Sequence, residues 1–253
     1  MAEAIILGSG TSNGVPMLGY RYPDGYLENP KNNRTRSSLL LCGPSGNVIV
    51  DCPPEMRLQL TREDIYEIEA VIVSHTHADH LMGMDDLRSL CMIYNRSMPI
   101  YTLPEHAEDI RRIFPYAFLE APPGIVYPRF ELSEMPARLD VVGLEIYSFI
   151  VEHGSTRVIG VRVNDLAYIT DVSYIPPEAE AMLLGLETLI VDGLRFRPHP
   201  NHFNVDAALA FRERVKPDRT ILTHLTHDFD HDLSEANLPE DVKLAYDGMR
   251  ITF

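Results

Sequence analysis

Short apolar runs, each closed by a polar or turn-forming residue, recur along the chain at 4–8, 38–42, 47–51, 70–74, 144–152, 156–163, 166–170, 188–192 and 219–223. Their brevity and their wealth of Val, Ile, Leu and Thr predict strands, buried on one or both faces. Segments near 53–66, 80–94, 104–113, 176–185 and 204–215 read instead as helices, several following Pro, Asp or Asn in starting positions. Strands alternating with helices predict a mixed α/β architecture. No Ser/Gly linker or low-complexity stretch interrupts the pattern, so a single domain over 1–253 is expected. The proline-rich stretch 121–136 reads as an ordered surface connection. The segment 19–36 is polar, rich in aromatic and turn-forming residues, and long for a structureless loop. It is expected to be a lid or a partner surface, the latter allowing a homodimer.

Charge narrows the partners. Lys and Arg total 22 against 37 Asp and Glu, a formal net charge of −15. Such a surface repels nucleic-acid backbones and anionic headgroups, so neither extended nucleic acid nor membrane is an expected partner. Cys42, Cys52 and Cys91 are scattered and odd in number, which fits reduced thiols. The first residues lack a basic stretch followed by a long apolar run, and no stretch approaches a membrane span in length. A cytoplasmic protein is the expectation.

The informative string is Ser74-His75-Thr76-His77-Ala78-Asp79-His80, placed between the apolar run 70–74 and a helical segment. Imidazole and carboxylate are side chains that divalent zinc and manganese accept. A strand-to-helix turn can aim His75 and His77 at one ion, leaving Asp79 and His80 to address a second. Further ligands are expected where other strands end, since one sheet edge collects several strand termini. His153, Asp171 and His224 each stand at such a junction.

Together these seven residues resemble the full dinuclear ligand series of the metallo-β-lactamase superfamily. The resemblance implies a four-layer αββα sandwich holding two divalent metal ions, zinc or manganese. It implies that His75, His77 and His153 hold one ion, that Asp79, His80 and His224 hold the other, and that Asp171 bridges them. The strings Gly8-Ser9-Gly10-Thr11-Ser12-Asn13-Gly14-Val15-Pro16, Ile49-Val50-Asp51-Cys52-Pro53-Pro54, Asn201-His202 and Thr223-His224-Leu225-Thr226-His227-Asp228-Phe229 are similar to the phosphoribosyl cyclic phosphodiesterases of phosphonate breakdown. That group implies His202 as a catalytic proton donor, with Asp79 also counted among the catalytic residues. It also carries a cysteine cluster that holds a structural zinc together with the histidine matching His227. Here that region, 20–30, has no cysteine, so no third zinc is expected.

Two divalent ions outweigh two carboxylates and a hydroxide, leaving about one positive charge for a phosphodiester. The expected reaction is therefore attack of a metal-activated hydroxide on a small phosphodiester, cyclic or linear, of a ribose phosphate or nucleotide, with His202 protonating the leaving oxygen. Arg195 and Arg197 are candidates for contacting phosphate, and Asp51 for orienting a metal-bound histidine. The competing readings are a transfer-RNA 3′-processing ribonuclease, a thioester hydrolase, and a non-catalytic, metal-stabilised nucleotide-binding protein.

Overall fold

The computed structural model describes residues 2–253. In chain order the strands are β1 (Glu3–Gly8), β2 (Ser38–Gly43), β3 (Gly46–Val50), β4 (Ala70–Ile72), β5 (Met98–Thr102), β6 (Phe130–Glu134) and β7 (Arg138–Val141). They continue as β8 (Leu144–His153), β9 (Thr156–Val163), β10 (Leu166–Ile169), β11 (Thr188–Asp192), β12 (Arg219–Thr223), β13 (Val242–Leu244) and β14 (Met249–Thr252). One sheet has the order β14-β1-β2-β3-β4-β5-β6 and the other β13-β12-β11-β10-β9-β8-β7. The helices are α1 (Met56–Arg62), α2 (Ala78–Leu81), α3 (Leu87–Ile93), α4 (Pro104–Ile113), α5 (Pro177–Ala181), α6 (Val205–Val215) and α7 (His231–Glu235).

Strand alternation assigns each apolar side chain to a layer. Ala4 and Ile6 of β1 point into a core shared with Ile146, Val161, Tyr168 and Ile190 of the facing sheet. Ile5 and Leu7 point the other way, against Met56 and Leu60 of α1 and Leu87 of α3. On the far side, Ala167, Leu189 and Leu222 pack against Ala179 of α5 and Phe211 of α6. Three cores between helix, sheet, sheet and helix make the αββα sandwich, with each buried Leu or Ile contributing roughly 1.5–3 kcal/mol.

The expected helix over 80–94 is broken into α2, a short 3-10 turn at Met84–Asp86, and α3. The break lies at Gly83, where an added Cβ would sit 2.0 Å from the carbonyl oxygen of Pro53. The 121–136 stretch is irregular to 129 and then supplies β6. The 19–36 segment folds as two 3-10 turns and is tied to the 227–232 loop: Tyr26 Oη donates to Phe229 O at 2.7 Å, and His231 N donates to Asn32 Oδ1 at 2.7 Å. Among the described residues, no helix is long and apolar enough to cross a membrane.

Candidate metal centre

The topology builds the site. β10, β11 and β12 run parallel, and β8 runs the same way because β9 opposes both β8 and β10. Their C-terminal ends therefore share one edge, delivering His153, Asp171, Asp192 and His224 side by side. The end of β4 is brought to them by Ile159 N, which donates to Ser74 O at 3.1 Å. His75 to His80 then follow on the turn into α2.

Asp171 lies at the centre. Its Oδ2 is 3.8 Å from His75 Nε2 and 3.9 Å from His153 Nε2, whereas its Oδ1 is 3.1 Å from His80 Nε2 and 3.2 Å from His224 Nδ1. Two donor groups result, His75, His77, His153 and Asp171 on one side and Asp79, His80, Asp171 and His224 on the other, with the donor atoms of each group within 4.8 Å of one another. Every one of them except the exposed His77 is buried. His75 Nε2, Asp79 Oδ2 and His80 Nε2 are buried without a hydrogen-bond partner. Unpaired buried donors and acceptors of this kind are costly unless something satisfies them. Converging nitrogens and carboxylate oxygens are what a divalent cation satisfies, so the residues fit the metals that the ligand series implies.

The outer ring nitrogens are also held. Asp51 Oδ2 accepts from His80 Nδ1 at 2.7 Å, while the two oxygens of Asp51 also accept from Ser74 N and Ser74 Oγ, each at 2.7 Å. Asn201 O accepts from His153 Nδ1 at 2.7 Å. This is the orienting role expected for Asp51. Asp51, Asp171 and His224 occupy the left-handed backbone region, at φ 67, 48 and 58, which costs a non-glycine residue energy and clusters at functional sites.

Charge reinforces the arrangement. Burial opposes ionisation of Asp171, but the imidazoles of His224 and His80 hold its carboxyl well below the usual range. Burial likewise opposes charging of His80, yet Asp171, Asp79 and Asp51 push its pKa well up. His75, buried and next to His80, is pushed well down.

His202 lies beside the centre and belongs to neither donor group. Its ring is 4.4 Å from that of His153 and 5.0 Å from that of His224, centroid to centroid. Its Nδ1 donates to Asp192 Oδ2 at 2.7 Å, which leaves Nε2 outside that hydrogen bond. Asp192 is fully buried and also accepts from Val172 N and Leu194 N. The sequence reading overlooked Asp192, although it closes β11 as Asp171 and His224 close off the neighbouring strands, and the same rule points to it. His202 and His227 border one cavity of about 330 Å³ together with Thr11, Ser12 and Asn13 of the glycine-rich loop. Gly8 opens that loop, and a Cβ there would lie 2.0 Å from Arg36 O. Arg195 is spent on its own loop, donating to Arg197 O and Pro198 O. Arg197 reaches solvent at the cavity rim, 3.8 Å from Asp228. The ring of His199 lies 5.0 Å from that of His202, centroid to centroid, and is tilted 55° to it.

Residues 46–225 match the family model described as a beta-lactamase superfamily domain. The chain belongs to the metallo-β-lactamase superfamily. A solved diphosphatase of the PhnP family is 32% identical, with a TM-score of 0.92 over 100% of this chain and 98% of that one. The chain therefore stands in that family within the superfamily of hydrolases. Zn²⁺-bound PqqB from Methylobacterium extorquens shares the fold, with a TM-score of 0.76 at 17% identity over 99% of this chain and 100% of that one. Among curated proteins, an octanoyltransferase of Porphyromonas gingivalis is 32% identical over 98% of this chain and 51% of its own length. A ribonuclease Z of Marinobacter nauticus is 28% identical over 42% of this chain and 34% of its own length. The chain thus spans about half or less of these curated relatives.

Proposed function

We propose that the chain is a single-domain, metal-dependent phosphodiesterase that hydrolyses a small phosphodiester of a nucleotide or ribose phosphate. The observation that carries this reading is the division of labour at the sheet edge. Asp171 presents one oxygen to each of two donor groups, while His202, held by Asp192, stands outside both and borders the cavity. His75, His77 and His153 would hold one divalent ion, Asp79, His80 and His224 the other, and Asp171 both, with zinc or manganese suited to the ligands. Bound there, the ions would supply positive charge opposite a phosphoryl oxygen and lower the pKa of a water.

The protein's own part is orientation and proton delivery. A departing alkoxide is strongly basic and needs a proton in the transition state. The hydrogen bond from Nδ1 to Asp192 fixes the ring of His202 and leaves its Nε2 to donate that proton. Asp51 and the backbone of Asn201 hold His80 and His153 in place, so that the donors are arranged before substrate arrives.

The second reading, processing of transfer-RNA 3′ ends, draws on the ribonuclease Z relatives. The net charge of −15 weighs against docking a polyanion of that size. The deciding experiment strips the protein with a chelator, reloads zinc or manganese, and counts metal while assaying 2′,3′-cyclic nucleotides, bis-p-nitrophenyl phosphate and a precursor transfer RNA. Two ions per chain with turnover of the small diesters is the expected result. Turnover of the precursor alone would favour the second reading, and turnover of none would overturn both.

A further inference from the structure

The segment from Tyr20 to Tyr26 is aromatic. Tyr20 packs on His227 with ring centroids 4.3 Å apart, Tyr22 on Tyr20 at 4.8 Å, and Tyr26 on Tyr22 at 5.0 Å. The inner rings are anchored: Tyr26 Oη donates to Phe229 O, and Tyr22 Oη accepts from Met17 N, each at 2.7 Å. Tyr20, at the outer end, is 44% exposed. This wall borders a hollow of about 740 Å³, and that hollow meets the cavity of His202 at two shared residues, His227 and Asp228. The hollow by itself is within the size range of small-molecule sites.

The polar rim of the hollow decides its occupant. Asp24, Asp228 and Asp230 line it, and no lysine or arginine does. A second phosphate would be repelled there, whereas a neutral planar ring carrying amino donors would stack on tyrosine and be met by carboxylate acceptors. Resting on the phosphodiesterase reading, we propose that this hollow is a nucleobase subsite. The base of a small nucleotide stacks on Tyr20 beside His227, its exocyclic amino group toward the carboxylate rim, while the phosphodiester lies at the cavity of His202.

Two substrates that differ only in the base test it: 2′,3′-cyclic AMP, and methyl β-riboside 2,3-cyclic phosphate, which has a methoxy group in its place. The readout is the ratio of their kcat/KM values in the metal-loaded protein. Tyr20→Ala is expected to lower that ratio about tenfold, mostly through KM for the nucleotide, in line with one lost stacking contact. Tyr20→Phe, which keeps the ring, should retain the ratio, as should Leu18→Ala, a fully exposed side chain outside the hollow. An equal ratio in wild type and Tyr20→Ala would overturn the subsite while leaving the phosphodiesterase reading intact. Should neither compound turn over, that reading fails, and calorimetric binding of AMP against ribose 5-phosphate then judges the subsite alone. AMP bound about tenfold tighter by wild type than by Tyr20→Ala supports it, and equal binding overturns it.

Discussion

Replacing Asp192 with asparagine tests how the proton donor is held. Asp192 Oδ1 accepts from Leu194 N at 3.0 Å, while Oδ2 accepts from both Val172 N at 3.2 Å and His202 Nδ1 at 2.7 Å. An amide has one acceptor oxygen to cover these two places. With its oxygen toward His202, its NH₂ meets the N–H of Leu194, leaving a buried donor unsatisfied at about 2 kcal/mol, or roughly 4–8 °C in Tm. Flipped, it points NH₂ at Nδ1, which selects the tautomer with hydrogen on Nε2 and disfavours the imidazolium that must give up the proton. The second outcome predicts a loss of about 10²-fold or more in kcat, the range over which a positioned acid acts. The loss should be large for 2′,3′-cyclic AMP, whose leaving alkoxide needs a proton, and small for bis-p-nitrophenyl phosphate, whose phenolate does not. Metal content should be unchanged, because Asp192 touches neither donor group. An equal loss on both substrates would refute the reasoning, since it would place the defect in the metal centre or the fold.

Two further predictions follow from the same geometry and from a buried imidazole. Asp171→Asn should lower metal content from two ions per chain to below one, because Asp171 belongs to both donor groups, whereas His77→Ala, an exposed member of one group, should retain one ion; elemental analysis showing equal loss in both variants would contradict the bridging role. His231 is 1% exposed, and burial first, then Lys31 and Arg34, hold its pKa down at about 4 against 6.5 for the free side chain. The unfolded chain takes up a proton below 6.5 that the folded chain refuses, so this contribution is complete above that pH and is lost as pH falls toward 4. By pH 5 the loss amounts to up to about 2 kcal/mol. Urea unfolding of His231→Gln at pH 7 and pH 5 should show a smaller drop than wild type, and parallel drops would dismiss the assignment.

Most of the strands that were legible in the sequence are buried on both faces. β1, β2, β3, β4 and β9 to β12 correspond to predicted runs because strands between two cores read as near-continuous apolar stretches, and β8, which alternates buried and exposed residues, stands out by its length and period of two. The overlooked strands are the outer ones. β6, β7, β13 and β14 are the edges of the two sheets, and β5 lies next to an edge. β6 buries Phe130 but exposes Glu131, Ser133 and Glu134, so its sequence Phe-Glu-Leu-Ser-Glu carries too little apolar signal to stand out. The broken helix was hidden for another reason: Gly83 marks a close approach to Pro53, a tertiary contact that no local pattern encodes.

The convergence of the seven candidate ligands was readable because strand ends are themselves readable. A ligand one or two residues past an apolar run needs only parallel neighbours to meet its partners, and β10, β11 and β12 provide them. What strand ends cannot report is the side of the cavity away from the sheets. There the 19–36 segment meets the 227–232 loop through Tyr20, Tyr22, Tyr26 and His227, residues up to two hundred positions apart that are joined by ring stacking and a few hydrogen bonds. The proposed metal ligands lie on short, local strings, whereas the proposed base subsite depends on a contact between distant loops. A chain can therefore retain the first while it varies the second.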